Sequence, residues 1–178
     1  MAWDPVAALT DEDRKRFVRP GEEAERLWLN VPGPFYTGET DNCWTGRMEA
    51  PDNVLYAADS AYCREYVFRQ PRDPAEVRAV AKAAWADPYG EYYCDGDLRW
   101  TPAGVRAWWA DRGRVALHLT ESLVDFGEGG SVADADAAAG VRDFRSYLDG
   151  GLAVDLRAYL FRLEEGRYPE AGERLPQL

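Results

Sequence analysis

Between residues 73 and 166 apolar positions recur at helical spacing, and turn residues interrupt them at clear points. Asp73 stands where an N-cap belongs, Pro74 at the first helical position, and Glu76 where it would complete a capping box. Val77, Val80, Ala81, Ala84 and Trp85 then form one stripe that predicts a buried helix face. Thr101 and Pro102 open a second helix carrying Val105, Trp108 and Trp109. After Gly113, the positions of Ala116, Leu119, Leu123 and Phe126 predict a third. Ser131 and Asp134 cap a fourth, with Val141, Phe144 and Leu148 inward, and Gly150-Gly151 ends it. Leu152, Leu156, Tyr159, Leu160 and Leu163 mark the last, with Gly166 as its C-cap and residues 170–178 as a frayed tail.

The first half follows a different pattern. Thr10 and Asp13 resemble a capping box opening a short helix over residues 11 to 18, which Pro20 and Gly21 end. Residues 22 to 30 fit a helix or a strand equally well. Residues 31 to 53 hold so many glycines and prolines that a long ordered loop is expected. The stretch "NVLYAADSAYCREYVFRQ" reads as a β-hairpin; Tyr62, Arg64, Tyr66 and Phe68 share one face of its second strand, and Cys63, Glu65 and Val67 the other. A short strand is expected near Tyr92. The fold class is therefore α+β: one domain over residues 1–178, with a small antiparallel hairpin in the first half packed by four to five helices mostly in the second.

Composition narrows the function classes. The 178 residues, 46% of them apolar and seven of them tryptophan, can build a substantial core. The net charge of −11 argues against nucleic acid as a partner, because neutralising phosphates needs clustered Lys and Arg. The only lysines are Lys15 and Lys82. No apolar run has the length of a membrane span and the first residues lack a secretory pattern, so a cytoplasmic protein without a membrane partner is expected. Cys43, Cys63 and Cys94 are odd in number and widely spaced, as in a reducing compartment.

Several chemistries can be weighed on the residues. "GPFYTGET", residues 33 to 40, places Gly33, Gly38 and Thr40 like a phosphate-binding loop. Glu39 stands where that loop needs lysine, and no helical stripe follows, so the nucleotide reading fails. Cys43, Cys63, Cys94 and His118 make a zinc set by count but include no chelating pair at close spacing. Iron–sulfur spacing is absent too, and no cofactor or metal is expected. Asp95-Gly96-Asp97 and Asp134-Ala135-Asp136 begin like calcium loops without continuing as such; a tight turn and a helix first turn explain them. His118, the only histidine, is the base that a hydrolase or transferase would use, with Cys43 or Cys94 as a nucleophile.

What remains is a surface. Residues 87 to 97 carry Asp87, Glu91, Asp95 and Asp97 among Tyr89, Tyr92 and Tyr93, with no basic residue. Phe35, Tyr36, Glu39, Asp41 and Trp44 form a second stretch of the same kind. Aromatic rings supply rigid contact area and carboxylates steer a basic partner, whereas in the plainer alternative the rings are core and the acids a solvated edge.

Around "LWLNVPGPFYTGETDNCWTG", "FRQPRDPAEVRAV" and "YYCDGDLRWTP" the chain resembles uncharacterised actinobacterial, Streptomyces-type proteins, some of which carry a ferredoxin label that this cysteine spacing does not support. A looser likeness of type is to acidic immunity proteins of polymorphic toxin systems, small domains that bind and block a toxin. The expectation is a non-enzymatic protein that engages a basic protein partner, such as a toxin, through Tyr36, Glu39, Asp41, Trp44, Tyr89, Glu91, Tyr92, Tyr93, Asp95 and Asp97. The alternative is a small cytosolic hydrolase or transferase using Asp or Glu with His118 or Cys43.

Overall fold

The computed structural model describes residues 3–17, 26–40, 43–57 and 64–178. Its architecture is α+β, with the longer helices mostly in the second half. In chain order the elements are α1 (Asp11–Arg14), β1 (Tyr36–Thr37), α2 (Thr45–Glu49), β2 (Val54–Tyr56), β3 (Glu65–Val67), α3 (Pro74–Ala86), β4 (Tyr92–Tyr93), α4 (Gly96–Arg99), α5 (Pro102–Ala110), α6 (Arg112–Gly129), α7 (Val132–Asp149) and α8 (Leu152–Glu165).

The helix ends follow their caps. The Asp73 side chain accepts from the Ala75 and Glu76 amides, Thr101 from Gly104, and Ser131 and Asp134 close a full capping box. Gly166 ends α8 in the left-handed region at φ 73°, where a side chain would be strained. Glu76 departs from expectation. It reaches past the cap to the Arg72 amide (2.8 Å) and Arg72 guanidinium (2.6 Å), and it accepts from Asn53 (3.2 Å). Trp85 departs as well: it is 73% exposed, so the buried stripe of α3 ends at Ala84.

β2 and β3 pair antiparallel in the register Val54↔Val67, Leu55↔Tyr66 and Tyr56↔Glu65. Both faces of this hairpin are covered. Leu55, Tyr66 and Phe68 belong to the larger core with α5 to α8, where Phe144 packs 5.5 Å from the Phe68 ring. Val54 and Val67 belong to a second core with Phe35, Val77 and Val80. Each such large side chain contributes about 1.5–3 kcal/mol by leaving water. Tyr62 and Cys63, expected on this strand, lie outside the described residues.

Residues 31 to 53 are more regular than their glycines and prolines suggest. β1 pairs antiparallel with β4, Tyr36 opposite Tyr93, and α2 follows Trp44, which takes a left-handed φ of 63°. From Val31 to Gly38 every residue is buried. Asn30, fully buried, makes this possible: its side chain donates to the Leu27 and Thr37 carbonyls and accepts from the Thr37 and Val67 amides. The short helix read at 11 to 18 is one turn, Asp11–Arg14; residues 22 to 25 of the ambiguous stretch lie outside the described residues, and residues 26 to 30 form neither helix nor strand.

The chain end is held rather than frayed. Arg157 donates to the Pro176 and Leu175 carbonyls (2.7 and 3.0 Å), Arg106 to Gln177 (3.0 Å), and Leu178 packs against the larger core.

Candidate functional site

Antiparallel pairing of β1 with β4 sets the two acidic, aromatic stretches edge to edge, and in doing so takes most of their rings out of reach. Tyr36, Tyr92 and Tyr93 are 0%, 1% and 4% exposed. The Tyr36 and Tyr93 rings stack at 5.0 Å. Each hydroxyl donates to a carboxylate: Tyr36 to Asp95 (2.8 Å), Tyr92 to Glu65 (2.6 Å) and Tyr93 to Glu91 (2.7 Å). Burial pushes all three phenols up, and the accepting carboxylates push the same way, so all three remain neutral donors. These tyrosines are core, which is the plainer alternative, and they offer no contact area to a partner.

The acids are also occupied. Arg99 pairs with Asp95 (3.0 Å) and Arg162 with Asp97 (3.0 Å). The Asp87 side chain accepts from the Tyr89 and Glu91 amides, and exposed Glu39 pairs with Arg64 (3.1 Å). Trp44 is half-buried, its ring stacked 4.6 Å from Tyr56. Tyr89, 69% exposed, is the one ring of the expected set that stands well into solvent, and Asp41 lies outside the described residues. A stretch without a basic residue in sequence thus acquires its arginines from α4 and α8.

Cys43 is exposed. His118 sits on α6, its ring edge-on to Trp28 (5.6 Å) and its Nε2 3.3 Å from Ser122 Oγ. Ser122 donates its own proton to the His118 carbonyl (2.9 Å) and is 1% exposed. With that proton committed, the pair is helix back-bonding rather than a nucleophile beside its base. Cys94 lines a cleft of about 570 Å³ with Arg14, Asp97 and Arg162, and burial pushes its thiol up, away from the thiolate form. Among the described residues no three His, Cys, Asp or Glu side chains converge as metal ligands. No helix among them is long and apolar enough to cross a membrane.

A second cleft, of about 260 Å³, is walled by Trp3, Pro32, Pro34, Pro71 and Tyr159. Two of its polar groups serve the protein itself: Asp155 accepts from Tyr147 (2.6 Å), and the Gln70 amide donates to the Val31 and Phe35 carbonyls.

A free acidic face lies on α6 instead. Residues 115 to 141 carry Glu121, Asp125, Glu128, Asp134 and Asp136 and no lysine or arginine. Asp134 is used in its cap and Asp136 holds Arg47 (2.7 Å). Glu121, Asp125 and Glu128 are exposed on α6, and among the described residues none has an ion-pair or hydrogen-bond partner. Leu117 and Val124 lie one heptad apart among them, 60% and 57% exposed. Two signals could have found this face: the long gap in basic residues, and two aliphatic positions that the inward stripe of α6 does not use.

Known proteins offer no match. No family model fits the chain, and neither the curated proteins nor the solved structures contain a significant likeness to it. The functional reading therefore rests on the site alone.

Proposed function

We propose that this is a binding protein, not a catalyst, and that it engages a basic protein partner through the outer face of α6. The observation that carries the reading is the set of three unpaired carboxylates, Glu121, Asp125 and Glu128, flanking the exposed Leu117 and Val124. Charges not already committed within the molecule steer a partner of opposite sign, and the aliphatic pair supplies area that loses water on contact. The net charge of −11 adds a long-range field of the same sign. A toxin neutralised by such an acidic protein is one instance of the class.

The test is capture from the native host with two baits, identified by mass spectrometry. One bait is the wild-type chain; the other carries Glu121→Lys, Asp125→Lys and Glu128→Lys. A basic protein retained by the first and lost by the second is the expected result. With that partner in hand, the triple variant should associate about tenfold more slowly at low salt, with a flatter salt dependence. An acidic partner, or association unchanged in the triple variant, would refute the proposal.

A further inference from the structure

A pocket of about 190 Å³ opens where the N-terminal end of α6 meets α5 and the segment before β1, and it collects tryptophan and arginine. Trp28, Trp100 and Trp108 line it together with Arg26, Arg114 and Asp111. Arg26 lies 4.3 Å over the Trp100 ring and Arg114 3.9 Å over the Trp28 ring. Trp108 is fixed by donating its indole N–H to the Trp28 carbonyl (3.0 Å). The two guanidiniums are therefore held over aromatic rings, a contact that does not use their hydrogen-bonding edges.

Their charge is not matched by the protein. In a chain with 32 acidic and 21 basic residues, neither Arg26 nor Arg114 makes an ion pair among the described residues, although Asp111 lines the same pocket. Two arginines held over aromatic rings at one small cavity, with a single aspartate beside them, leave it short of an anion.

We propose that this pocket binds a small aromatic carboxylate. The guanidinium edge matches the geometry of a carboxylate, and two arginines against one aspartate leave a net charge of one, which suits a monoanion better than a phosphate dianion. The volume also fits, because a cavity of about 150 Å³ already admits benzene, and 190 Å³ leaves room for a ring with its carboxylate. The tryptophan walls give the ring an apolar surround. The site is separate from the acidic face of α6, and its occupant has the opposite charge.

The carboxylate can belong to a free acid or to the C-terminus of a peptide, and the test separates the two. Phenylacetate is titrated into the protein while the indole N–H signals of the seven tryptophans are followed by NMR. The expected result is saturable movement of the Trp28, Trp100 and Trp108 signals, with Trp3 and Trp85 unmoved and a Kd on the order of 1 mM. Phenylacetamide, which lacks the charge, should bind at least about tenfold more weakly, as should Arg26→Gln and Arg114→Gln proteins. Inorganic phosphate should compete poorly. A peptide ending in Phe that binds more tightly than phenylacetate, and loses binding when amidated, assigns the carboxylate to a chain end. No saturable shift from either probe up to about 50 mM overturns the proposal. So does equal binding of the amide, or unchanged binding in both arginine variants with their unfolding midpoints intact. The triple α6 variant should bind phenylacetate no more weakly than wild type, so failure of the partner reading leaves this result standing.

Discussion

Glu65 is the residue on which the first half of the chain is organised. It is 0% exposed, and its carboxylate accepts from the Gly46 amide (2.6 Å) and the Tyr92 hydroxyl (2.6 Å). Its own amide donates to Thr40 Oγ1 (2.7 Å), so Thr40 of "GPFYTGET" holds a strand in place rather than a phosphate. A buried carboxylate is tolerable only with such donors around it. Gly46 is required by the same arrangement, since a Cβ there would come within 2.2 Å of both Glu65 Oε2 and Tyr92 Oη. Gly46→Ala should therefore destabilise the protein by about 2–4 kcal/mol in urea unfolding, because it must break either the Gly46 or the Tyr92 hydrogen bond to Glu65. A loss below about 0.5 kcal/mol would show that the carboxylate relocates freely. None of this was legible locally: Gly46 reads as a loop glycine, and the side chains that crowd it come from β3 and β4.

At the scale of the element, α3 shows what a sequence carries openly and what it hides. Asp73 and Pro74 place its start because capping is a contact between neighbours in the chain. The partner of Glu76 was hidden by one residue, and Trp85 by tertiary context, since Arg16 lies over its ring (5.3 Å) with solvent beyond. The Glu76 contacts have a pH signature. Burial works to raise its carboxyl, but the side-chain and amide hydrogen bonds from Arg72 and the one from Asn53 outweigh that and hold it below its ordinary 4.5. A carboxylate depressed in the folded state adds stability above its unfolded value, and that stability is lost as pH falls through the folded value. Glu76→Gln should cost about 1–2 kcal/mol at pH 7 and progressively less below pH 4.5. Thermal unfolding followed from pH 7 to pH 3 checks it, and a cost independent of pH would be the contrary result.

Across the whole molecule, helices and hairpin were readable because their patterns repeat within a few residues. The loop that proved to be buried was not. Val31 to Gly38 are covered by partners tens of residues away, such as Gln70 and Tyr93, and nothing local announces that coverage. The expected acidic site went the same way: Asp95 and Asp97 lose their free charge to Arg99 and Arg162, and Arg162 lies 65 residues beyond Asp97. Charge in sequence measures supply; the fold decides what is left over. On α6 three acids are left over, since among the described residues no arginine pairs with Glu121, Asp125 or Glu128.

The pairing of β1 with β4 joins residues 36 and 93 by only two residues on each side. So short a ladder, closing so long a loop, returns little until α3 and the hairpin are already in place. The helices α6, α7 and α8, which pack on their neighbours in sequence, face no such delay. The order of assembly follows: the second half first, the tyrosine ladder last. Phe144→Leu, in the early part, should slow folding, while Thr37→Ser, in the late part, should leave the folding rate unchanged and speed unfolding. Stopped-flow measurement of both arms for the two variants decides it, and a slowed folding arm for Thr37→Ser would reverse the order. "GPFYTGET" then acts as the latch on a finished structure, the segment that opens first when the protein comes apart.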